Sequence, residues 1–495
     1  MSIKKKVDVS NLHKLTILHS NDLHGDFLAE TIDKKLLGGA SRLSGYVSKV
    51  RSEEENTLYV IAGDMFRGSV IDSEFKGIST IDIMNLLGPD VVSLGNHEVD
   101  YGIAHLVFLE KCAKFPIVNA NLYVKTTKTR LFQAHKIFKV GGMKIMFIGI
   151  LTQEIMANAK SDQLLGTFVD VEQAAAEVGK ICNNYRTQDI DLTVLLTHIG
   201  FQADKRLAKL LDPKWGVDMI IGGHSHTLLK KAAEVNGVVI AQAGVGTDQI
   251  GRFDLEINTE TNQIEKYKWR TVPIDAKHCP RDVALEQTIL KYKKETDRKY
   301  GRLLTKFNRE LTHPARNQET ELGNLLADIL QHNLGVDLVL LGSGSIRGEK
   351  LGPIIKYGDL VEIFPYDDDI YSVEMTGKQL EKVFAHLLRP AAFLGETEYY
   401  QVSRDWQVTY NKKAKKVVKV TYKGEPVVAE KKYTVALQKF HFNNIKDFLG
   451  VELKEVEINR KARVISTSAV DIFDEYLTLN THLDAKVEGR YNFVE

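Results

Sequence analysis

The sequence predicts an α/β protein of two domains, and three observations lead to that fold class. The chain has 495 residues, which is more than one hydrophobic core normally organises. Short apolar runs with the length of β-strands recur through residues 15–276 and are separated by helix-length stretches. A charged helical pattern then interrupts the chain at residues 281–306. We therefore expect two α/β domains with a helix between them.

The strand-like runs of the first part share one kind of ending, a short segment rich in Asp, His, Asn and Gly. The runs are Leu15–His19, Thr57–Ala62, Val91–Leu94, Ile117–Ala120, Ile145–Leu151, Leu192–Leu196, Met219–Ile221 and Val238–Gln242. Because they are bounded by turn residues, these runs indicate a mostly buried sheet. Polar residues just past the carboxyl end of such strands lie where α/β folds bind their ligands.

The segment at residues 279–306 predicts a linker helix. Pro280 lies at the start of this segment, and Leu285 and Ile289 are spaced along it among many Lys and Glu residues. A surface helix of the first domain is the alternative interpretation. The linker divides the chain into a first domain at residues 12–278 and a second domain at residues 307–495.

The second domain is predicted to mix helices and strands. Thr376 is expected to cap a helix with one apolar stripe. The runs Trp406–Tyr410 and Val417–Tyr422 have the pattern of strands and are joined by a turn at Asn411–Lys413. This half is therefore a second, mixed α/β domain.

Composition and charge narrow the classes of partner. With 43% hydrophobic and 26% charged residues, the chain has the make-up of a soluble globular protein. Its 66 Lys and Arg are balanced by 65 Asp and Glu, which excludes the basic field of a protein that binds a nucleic-acid polymer or an anionic membrane. We expect a small-molecule substrate.

The cysteines and the N-terminus favour a cytoplasmic location. Cys112, Cys182 and Cys279 are widely spaced and follow neither a metal-binding nor a redox pattern. Lys4–Lys6 are followed by polar residues where a secretory signal would have an apolar stretch. The apolar runs are far shorter than the roughly 20 residues that span a bilayer. We expect reduced cysteines and no membrane partner.

Five of the strand-end segments carry the side chains of a metal centre. These side chains are Asp22, His24, Asp64, Asn96, His97, Asp100, His198, His224 and His226. Imidazole, carboxylate and amide oxygen suit Zn, Mn, Fe or Co better than Ca or Mg. Each residue alone is more often a helix cap, an Asx turn or a buried histidine, but nine of them in five such segments indicate a site. A pair of metal ions needs a bridging carboxylate, and the pattern offers one Asp between two partial ligand sets.

The same motifs, in the same order, resemble the metallophosphoesterase superfamily. They are SNDLHGD, AGDMFRGS, SLGNHEVDYG, LLTHIGF and IGGHSHT. The resemblance is specifically to the 5'-nucleotidase and 2',3'-cyclic nucleotide phosphodiesterase family, and it covers the whole chain. It implies an N-terminal calcineurin-like αββα sandwich and a C-terminal 5'-nucleotidase domain.

The resemblance also implies a role for each residue. One divalent ion would be held by Asp22, His24 and His226, the other by Asn96, His198 and His224, with Asp64 bridging the two. His97 would lie over the scissile phosphate and be oriented by Asp100.

Two cations would neutralise phosphoryl oxygens and activate a water for in-line attack on phosphorus. His97 as an imidazolium is expected to donate a proton to the phosphoryl oxygen or the leaving group, and a carboxylate three residues later favours that charged form. The alternatives for His97 are a metal ligand and a structural histidine. Arg67 is a weaker candidate for phosphate contact, with a solvated surface residue as the alternative.

The second half resembles the C-terminal nucleotidase domain, in which two aromatic rings sandwich the base. Tyr366 and Phe440 match the two rings, and Arg347, in a Gly/Ser-rich loop, matches an arginine that contacts the substrate. Core aromatics at strand ends are the alternative for the two rings.

This half also departs from the family pattern. Gln318 replaces an arginine, Gly342 replaces an asparagine, and Asn443–Asp447 replaces a Gly-Gly-Asp stretch. These departures concern the base or the sugar of the substrate and leave the metal site intact.

The sequence therefore predicts a metal-dependent phosphohydrolase that cleaves phosphate esters of nucleotides. The alternatives are a cyclic nucleotide phosphodiesterase or a diphosphohydrolase of nucleotide sugars or dinucleotides, since the same metals serve all three reactions. A non-catalytic nucleotide-binding protein is the third hypothesis, and the intact set of seven ligands argues against it.

Overall fold

The computed structural model describes residues 11–32, 35–124, 126–152, 165–168, 170–395, 397–458 and 460–495. Lys4–Lys6 lie outside these residues. The chain divides into two compact units, Met1–Thr296 and Asp297–Glu495.

The first unit is built on two six-stranded sheets. Its strands are β1 (Leu12–Ser20), β2 (Ala29–Ile32), β3 (Lys35–Gly38), β4 (Thr57–Ala62), β5 (Val91–Ser93), β6 (Ile117–Val118), β7 (Leu122–Val124), β8 (His135–Val140), β9 (Met143–Leu151), β10 (Leu165–Phe168), β11 (Leu192–His198), β12 (Met219–Gly222), β13 (Ala233–Val235), β14 (Val238–Ala241), β15 (Gln249–Asn258) and β16 (Gln263–Pro273). The first sheet has the order β16-β15-β1-β4-β5-β6, and the second has the order β13-β14-β12-β11-β9-β8. Every strand predicted from the apolar runs of this half is present.

Helices cover the outer faces of the two sheets. They are α1 (Ala40–Glu53), α2 (Val70–Glu74), α3 (Ile78–Leu87), α4 (Ile103–Cys112), α5 (Val171–Asn184), α6 (Phe201–Leu210) and α7 (Val283–Tyr300). One core lies between the sheets, where Ile17 and Val60 of the first pack with Phe147 and Leu196 of the second. Two further cores lie under α1, α3 and α4 on one side and under α5 and α6 on the other. The predicted αββα sandwich is confirmed.

The central strands of both sheets run parallel. β1, β4, β5 and β6 are parallel neighbours, as are β9, β11, β12 and β14. They are apolar along almost their whole length, as expected of strands that are covered on both faces. Their carboxyl ends therefore gather at one edge of each sheet.

The helix between the two halves is shorter than the segment predicted for it. It begins at Val283 and ends at Tyr300, and Leu303–Lys306 forms a strand instead. Leu285 and Ile289 are buried in the core of the first unit, so the greater part of this helix packs there as a surface helix.

The second unit is built on a five-stranded sheet with smaller sheets around it. Its strands are β17 (Leu303–Lys306), β18 (Leu311–Thr312), β19 (Leu338–Gly342), β20 (Lys350–Leu351), β21 (Ile354–Lys356), β22 (Ile370–Thr376), β23 (Tyr400–Val402), β24 (Trp406–Asn411), β25 (Lys416–Tyr422), β26 (Glu425–Pro426), β27 (Lys432–Gln438), β28 (Arg463–Ser466) and β29 (Tyr491–Val494). The main sheet has the order β23-β19-β27-β22-β28, and β26-β25-β24-β29 forms a four-stranded sheet.

Helices pack on both faces of the main sheet. They are α8 (Glu321–Leu334), α9 (Tyr357–Ile363), α10 (Gly377–Leu387), α11 (Pro390–Phe393), α12 (Lys439–Asn443), α13 (Ile445–Leu449), α14 (Leu453–Glu457) and α15 (Ala469–Leu479). Thr376 caps α10 as predicted, because its side chain accepts a hydrogen bond from the Gln379 N–H. α10 packs on one face of the sheet, and α8, α9 and α15 pack on the other.

Candidate functional site

The predicted metal ligands lie in loops at the carboxyl ends of the parallel strands. They are Asp22 and His24 after β1, Asp64 after β4, Asn96 after β5, His198 at the end of β11, and His224 and His226 after β12. Since the two sheets pack face to face, these loops meet at one edge of the sandwich.

Five of these ligands have a left-handed backbone. The φ angles are 53° for Asp22, 50° for His24, 55° for Asp64, 78° for His224 and 50° for His226. Residues other than glycine seldom adopt this region, although Asp and His do so more often than most. Each loop turns sharply at these residues, which brings their side chains into one space.

Three overlapping groups of ligand atoms form the cluster, and one of them consists of His24, Asp64 and His97. The other two groups contain only predicted ligands. In the first, His226 Nε2 lies 3.1 Å from His24 Nε2 and 3.4 Å from Asp22 Oδ1. In the second, His198 Nε2 lies 3.1 Å from Asp64 Oδ2 and 3.8 Å from Asp22 Oδ1. The ligand atoms within each group lie within 4.8 Å of one another, the spacing of atoms around a metal ion.

Asn96 and His224 adjoin this cluster. The Asn96 side-chain oxygen lies 2.8 Å from His224 Nδ1, and the His224 ring lies 5.2 Å from the His198 ring. All seven predicted ligands therefore come together at one place.

The hydrogen bonds of two histidines indicate which of their ring nitrogens can bind a cation. Nδ1 of His198 lies 2.9 Å from the Ala62 carbonyl, and Nδ1 of His24 lies 3.0 Å from the Arg67 carbonyl. A carbonyl only accepts, so these Nδ1 atoms donate, and Nε2 is the nitrogen left to bind a proton or a metal ion. The His198 Nε2 is buried without a hydrogen-bond partner among the described residues and faces the Asp64 carboxylate. A ring nitrogen that faces a carboxylate at this distance needs a proton or a metal ion between them, so the donor set fits a cation.

The electrostatics of the cluster favour positive charge. Burial disfavours a charged His198, but the charges of Asp64 and Asp22 outweigh it and raise the pKa of this histidine. Burial also opposes the charge of Asp64, but its interactions with His198 and His97 hold the pKa of that carboxyl at about 2.

His97 and Asp100 form the predicted pair. His97 Nδ1 lies 2.7 Å from Asp100 Oδ2, and this hydrogen bond raises the pKa of His97 although burial acts against it. The His97 ring lies 5.3 Å from the ring of His24, and His97 also shares a ligand group with His24 and Asp64. Arg67 Nε donates to the same Asp100 oxygen at 3.1 Å, so Arg67 is a partner of this carboxylate and not an isolated surface residue.

Glu98 is a site residue that the sequence reasoning missed. It is 1% exposed, and its carboxylate accepts the backbone N–H groups of Asp64, Met65 and Gly95. It thereby joins the loop after β4 to the loop after β5. Burial raises the pKa of Glu98 to about 7, and the amide donors act against that rise. In the sequence, the signal for Glu98 was its position directly after His97.

The second unit has a cavity of about 370 Å³ at one edge of its main sheet. β19 and β27 are parallel neighbours, and the loops after them supply Arg347 and Phe440. β22 and β23 run antiparallel to these strands, so the loops before them, with Tyr366 and Glu398, reach the same edge.

The three predicted substrate-binding residues line this cavity together. Tyr366 is 41% exposed and Phe440 is 56% exposed, which excludes the core-aromatic alternative. The Arg347 guanidinium lies 4.9 Å from the Tyr366 ring centroid and hydrogen-bonds the Tyr366 hydroxyl, so it covers one face of that ring.

The cavity also has polar lining residues that the sequence reasoning did not single out. They are Arg316, Ser345, Asp368, Glu398, Gln438 and His441. Gln318, at the position of the missing arginine, uses its backbone carbonyl to accept a hydrogen bond from Gln401. Arg316, two residues earlier, supplies a guanidinium to the cavity instead.

Comparisons with known proteins agree with the two domains that carry these sites. The sequence model described as calcineurin-like phosphoesterase matches residues 15–228, and the one described as 5'-nucleotidase, C-terminal domain, matches residues 299–450. The chain is 27% identical to the 5'-nucleotidase of Mus musculus over 75% of this chain and 71% of that protein. It is 25% identical to the protein UshA of Escherichia coli strain K12 over 96% of this chain and 92% of that protein.

A solved structure shares the fold over nearly the whole chain. It is that of a 5'-nucleotidase precursor from Thermus thermophilus, with a TM-score of 0.62 and 24% identity, over 98% of this chain and 100% of that one. With a calcineurin-like phosphoesterase match, a 5'-nucleotidase C-terminal domain match and a metal-ligand cluster at one edge of its two sheets, the chain is similar to 5'-nucleotidases and is a metal-dependent phosphohydrolase of nucleotides.

Proposed function

We propose that this protein hydrolyses the phosphate monoester of a nucleoside 5'-phosphate with two divalent cations. The observation that carries the proposal is two of the three overlapping ligand groups, in which the carboxylates of Asp22 and Asp64 face the imidazole nitrogens of His24, His198 and His226. Mixed nitrogen and oxygen donors favour Mn, Zn, Fe or Co.

The residues divide between the two cations in the proposal. Asp22, His24 and His226 hold one, whereas Asn96, His198 and His224 hold the other. Asp64 would contact both, because its Oδ2 lies 3.1 Å from His198 and 3.7 Å from His24, one histidine of each set. When bound, the cations supply Lewis acidity. This neutralises phosphoryl oxygens and lowers the pKa of a water molecule, whose deprotonated form attacks phosphorus.

His97 is the proton donor in this proposal. The Asp100 carboxylate accepts the hydrogen bond from Nδ1 of His97 and favours the imidazolium form of the ring. In that form Nε2 carries the second proton. A proton held at Nε2 is available to the leaving oxygen of the ester as its bond to phosphorus breaks. Asp100 orients the ring, and Arg67 holds Asp100 by donating to the same carboxylate oxygen.

The cavity of the second unit binds the nucleoside part in this proposal. Tyr366 and Phe440 offer ring faces to a flat base, and Arg316 and Arg347 add positive charge for an anionic substrate. A net charge of only +1 argues against a nucleic-acid polymer as the partner and favours a small nucleotide.

The test is hydrolysis by the full chain after chelation and reloading with Mn, Zn, Co, Fe or Mg. We expect release of inorganic phosphate from a nucleoside 5'-monophosphate faster than cleavage of a 2',3'-cyclic nucleotide, a nucleotide sugar or a dinucleotide. Asp64→Asn is expected to lose at least one ion and nearly all turnover. Asp189→Asn, at an exposed position of the same unit, is the control and keeps both.

Two outcomes would overturn parts of the proposal. Faster cleavage of a diester or a pyrophosphate would replace the monoesterase by one of the alternative reactions. An Asp64→Asn protein that holds two ions per chain and turns over normally would remove the bridging role.

We also propose that the protein acts in the cytoplasm. All three cysteines are free, and Cys182 and Cys279 are buried, as in proteins of reducing compartments. In the described part of the chain, no helix combines the length and the apolarity needed to cross a bilayer. Fractionation of cells that produce the full-length chain tests the location.

A further inference from the structure

His441 has an unusual position in the cavity of the second unit. It lies on α12, directly after Phe440, and is only 4% exposed, yet its ring forms part of the cavity lining. Burial lowers the pKa of His441 to about 4. The ring is therefore neutral near pH 7 and carries one N–H group.

Tyr400 decides which nitrogen of His441 carries that proton. The Tyr400 hydroxyl lies 2.7 Å from His441 Nδ1 and has no other hydrogen-bond partner among the described residues. A buried hydroxyl needs an acceptor for its hydrogen, and Nδ1 is the acceptor within reach. Nδ1 therefore accepts, and Nε2 carries the proton.

Gly342 provides the space in which this Nε2–H group lies. Its backbone has φ −58° and ψ 125°, which any residue adopts, so its conformation does not demand glycine. A Cβ atom at this position would lie 2.4 Å from His441 Nε2. The imidazole thus fills the space where a side chain at position 342 would stand.

A carboxylate lies on the other side of the same space. Glu398 Oε1 is 3.1 Å from the Cβ position of Gly342 and accepts the Gly344 N–H at 2.7 Å. Glu398 forms no ion pair within the described part of the chain, and a carboxylate has acceptor capacity beyond one hydrogen bond. The cavity therefore presents a hydrogen-bond donor and an acceptor close together.

We propose that His441 determines base specificity, donating from Nε2 to an oxo oxygen or ring nitrogen of the substrate's base while Glu398 accepts from a neighbouring N–H of that base. This inference rests on the proposed function, because it takes the base of a nucleotide as the occupant of the cavity. The ligand class is a nucleobase with an acceptor atom beside an N–H donor.

The test compares His441→Leu with His441→Gln, whose amide nitrogen keeps a donor. The substrates are a nucleoside 5'-monophosphate and the base-free ribose 5-phosphate. His441→Leu is expected to raise KM for the nucleotide about 5- to 150-fold, the effect of leaving one polar group without its partner. KM for ribose 5-phosphate and kcat for both should stay within about twofold, and His441→Gln should recover most of the nucleotide KM.

Tyr400→Phe keeps the test independent of how well His441→Leu folds. It removes only the hydroxyl that fixes the proton on Nε2, so it should raise the nucleotide KM in the same direction and leave ribose 5-phosphate unchanged. His332→Leu, the same replacement at an exposed position of α8, is the matched control and should leave every constant unchanged.

The outcomes separate this inference from the proposed function. If the wild-type chain hydrolyses nucleotides and His441→Leu leaves their KM within twofold, this inference is wrong and the proposed function stands. Equal increases in KM for nucleotide and ribose 5-phosphate would also overturn it. If the wild-type chain cleaves p-nitrophenyl phosphate but no nucleotide, the proposed function fails, and this inference fails with it.

Discussion

Replacing the Glu98 carboxylate by an amide tests how the two catalytic loops of the first unit are held together. Three backbone N–H groups converge on this carboxylate, including those of Asp64 at 3.0 Å and Met65 at 2.6 Å. In Glu98→Gln, one of the two oxygen positions becomes an NH2 group, which leaves at least one buried N–H without an acceptor, at a cost of about 1–3 kcal/mol. Above pH 7, where this carboxyl is ionised, the remaining bonds also lose a charged acceptor, which weakens each by about 1 kcal/mol. We expect a total loss of about 3–5 kcal/mol.

The assay is urea unfolding of the chelator-treated full chain, with hydrogen exchange followed in peptides that contain β4 and β5. Metal content after reloading should also fall, because the backbone of the Asp64 ligand is one of the groups that Glu98 fixes. Glu53→Gln is the control, since this side chain is 53% exposed and lies 4.0 Å from Lys49. It should change stability by less than about 0.5 kcal/mol. A Glu98→Gln protein with control-like stability and metal content would refute the reasoning.

Three further predictions concern the chemistry, the base and a buried acid. His97→Ala should lower kcat about 10²–10⁴-fold with metal content intact, whereas loss of metal would make His97 a ligand. Alanine at both Tyr366 and Phe440 should raise KM for nucleotides, by stacking losses of roughly 2–6 kcal/mol in total. Hydrolysis of p-nitrophenyl phosphate should change little, and equal losses on both substrates would make the rings structural. Burial raises the pKa of Asp218 to about 7, so the folded state favours the protonated acid and stability should fall as pH rises from about 4 through 7. Asp218→Asn should flatten the dependence of Tm on pH between 5 and 8, and an unchanged dependence would argue against this origin.

The metal site could be predicted from the sequence because its ligands follow strands that are apolar enough to recognise. Runs such as the one ending at Leu151 have the composition of buried parallel strands, and the position of a side chain just past such a strand fixes the edge at which it lies. The long hairpin of β15 and β16 was not predicted, because β16 alternates polar and apolar residues at a partly exposed surface.

The cavity of the second unit was harder to predict, because its walls come from loops far apart in the sequence. Tyr366 and Phe440 were found by resemblance alone, whereas Glu398 and His441 face the cavity only because β23 and β27 lie on either side of β19. Pairing order in a sheet is set by long-range packing, which local patterns do not encode.

The left-handed backbone of the metal ligands links the amount of this protein to cation supply. Asp22, His24, Asp64, His224 and His226 each occupy a region that costs roughly 1–2 kcal/mol for a residue with a Cβ atom. A bound ion offsets this cost only in the folded state, so newly made chains in cation-poor cells are less stable and more open to proteolysis. Depletion of divalent metal ions is therefore expected to lower the cellular level of the protein as well as its activity. Glycine at these positions would relieve the cost while removing the ligand.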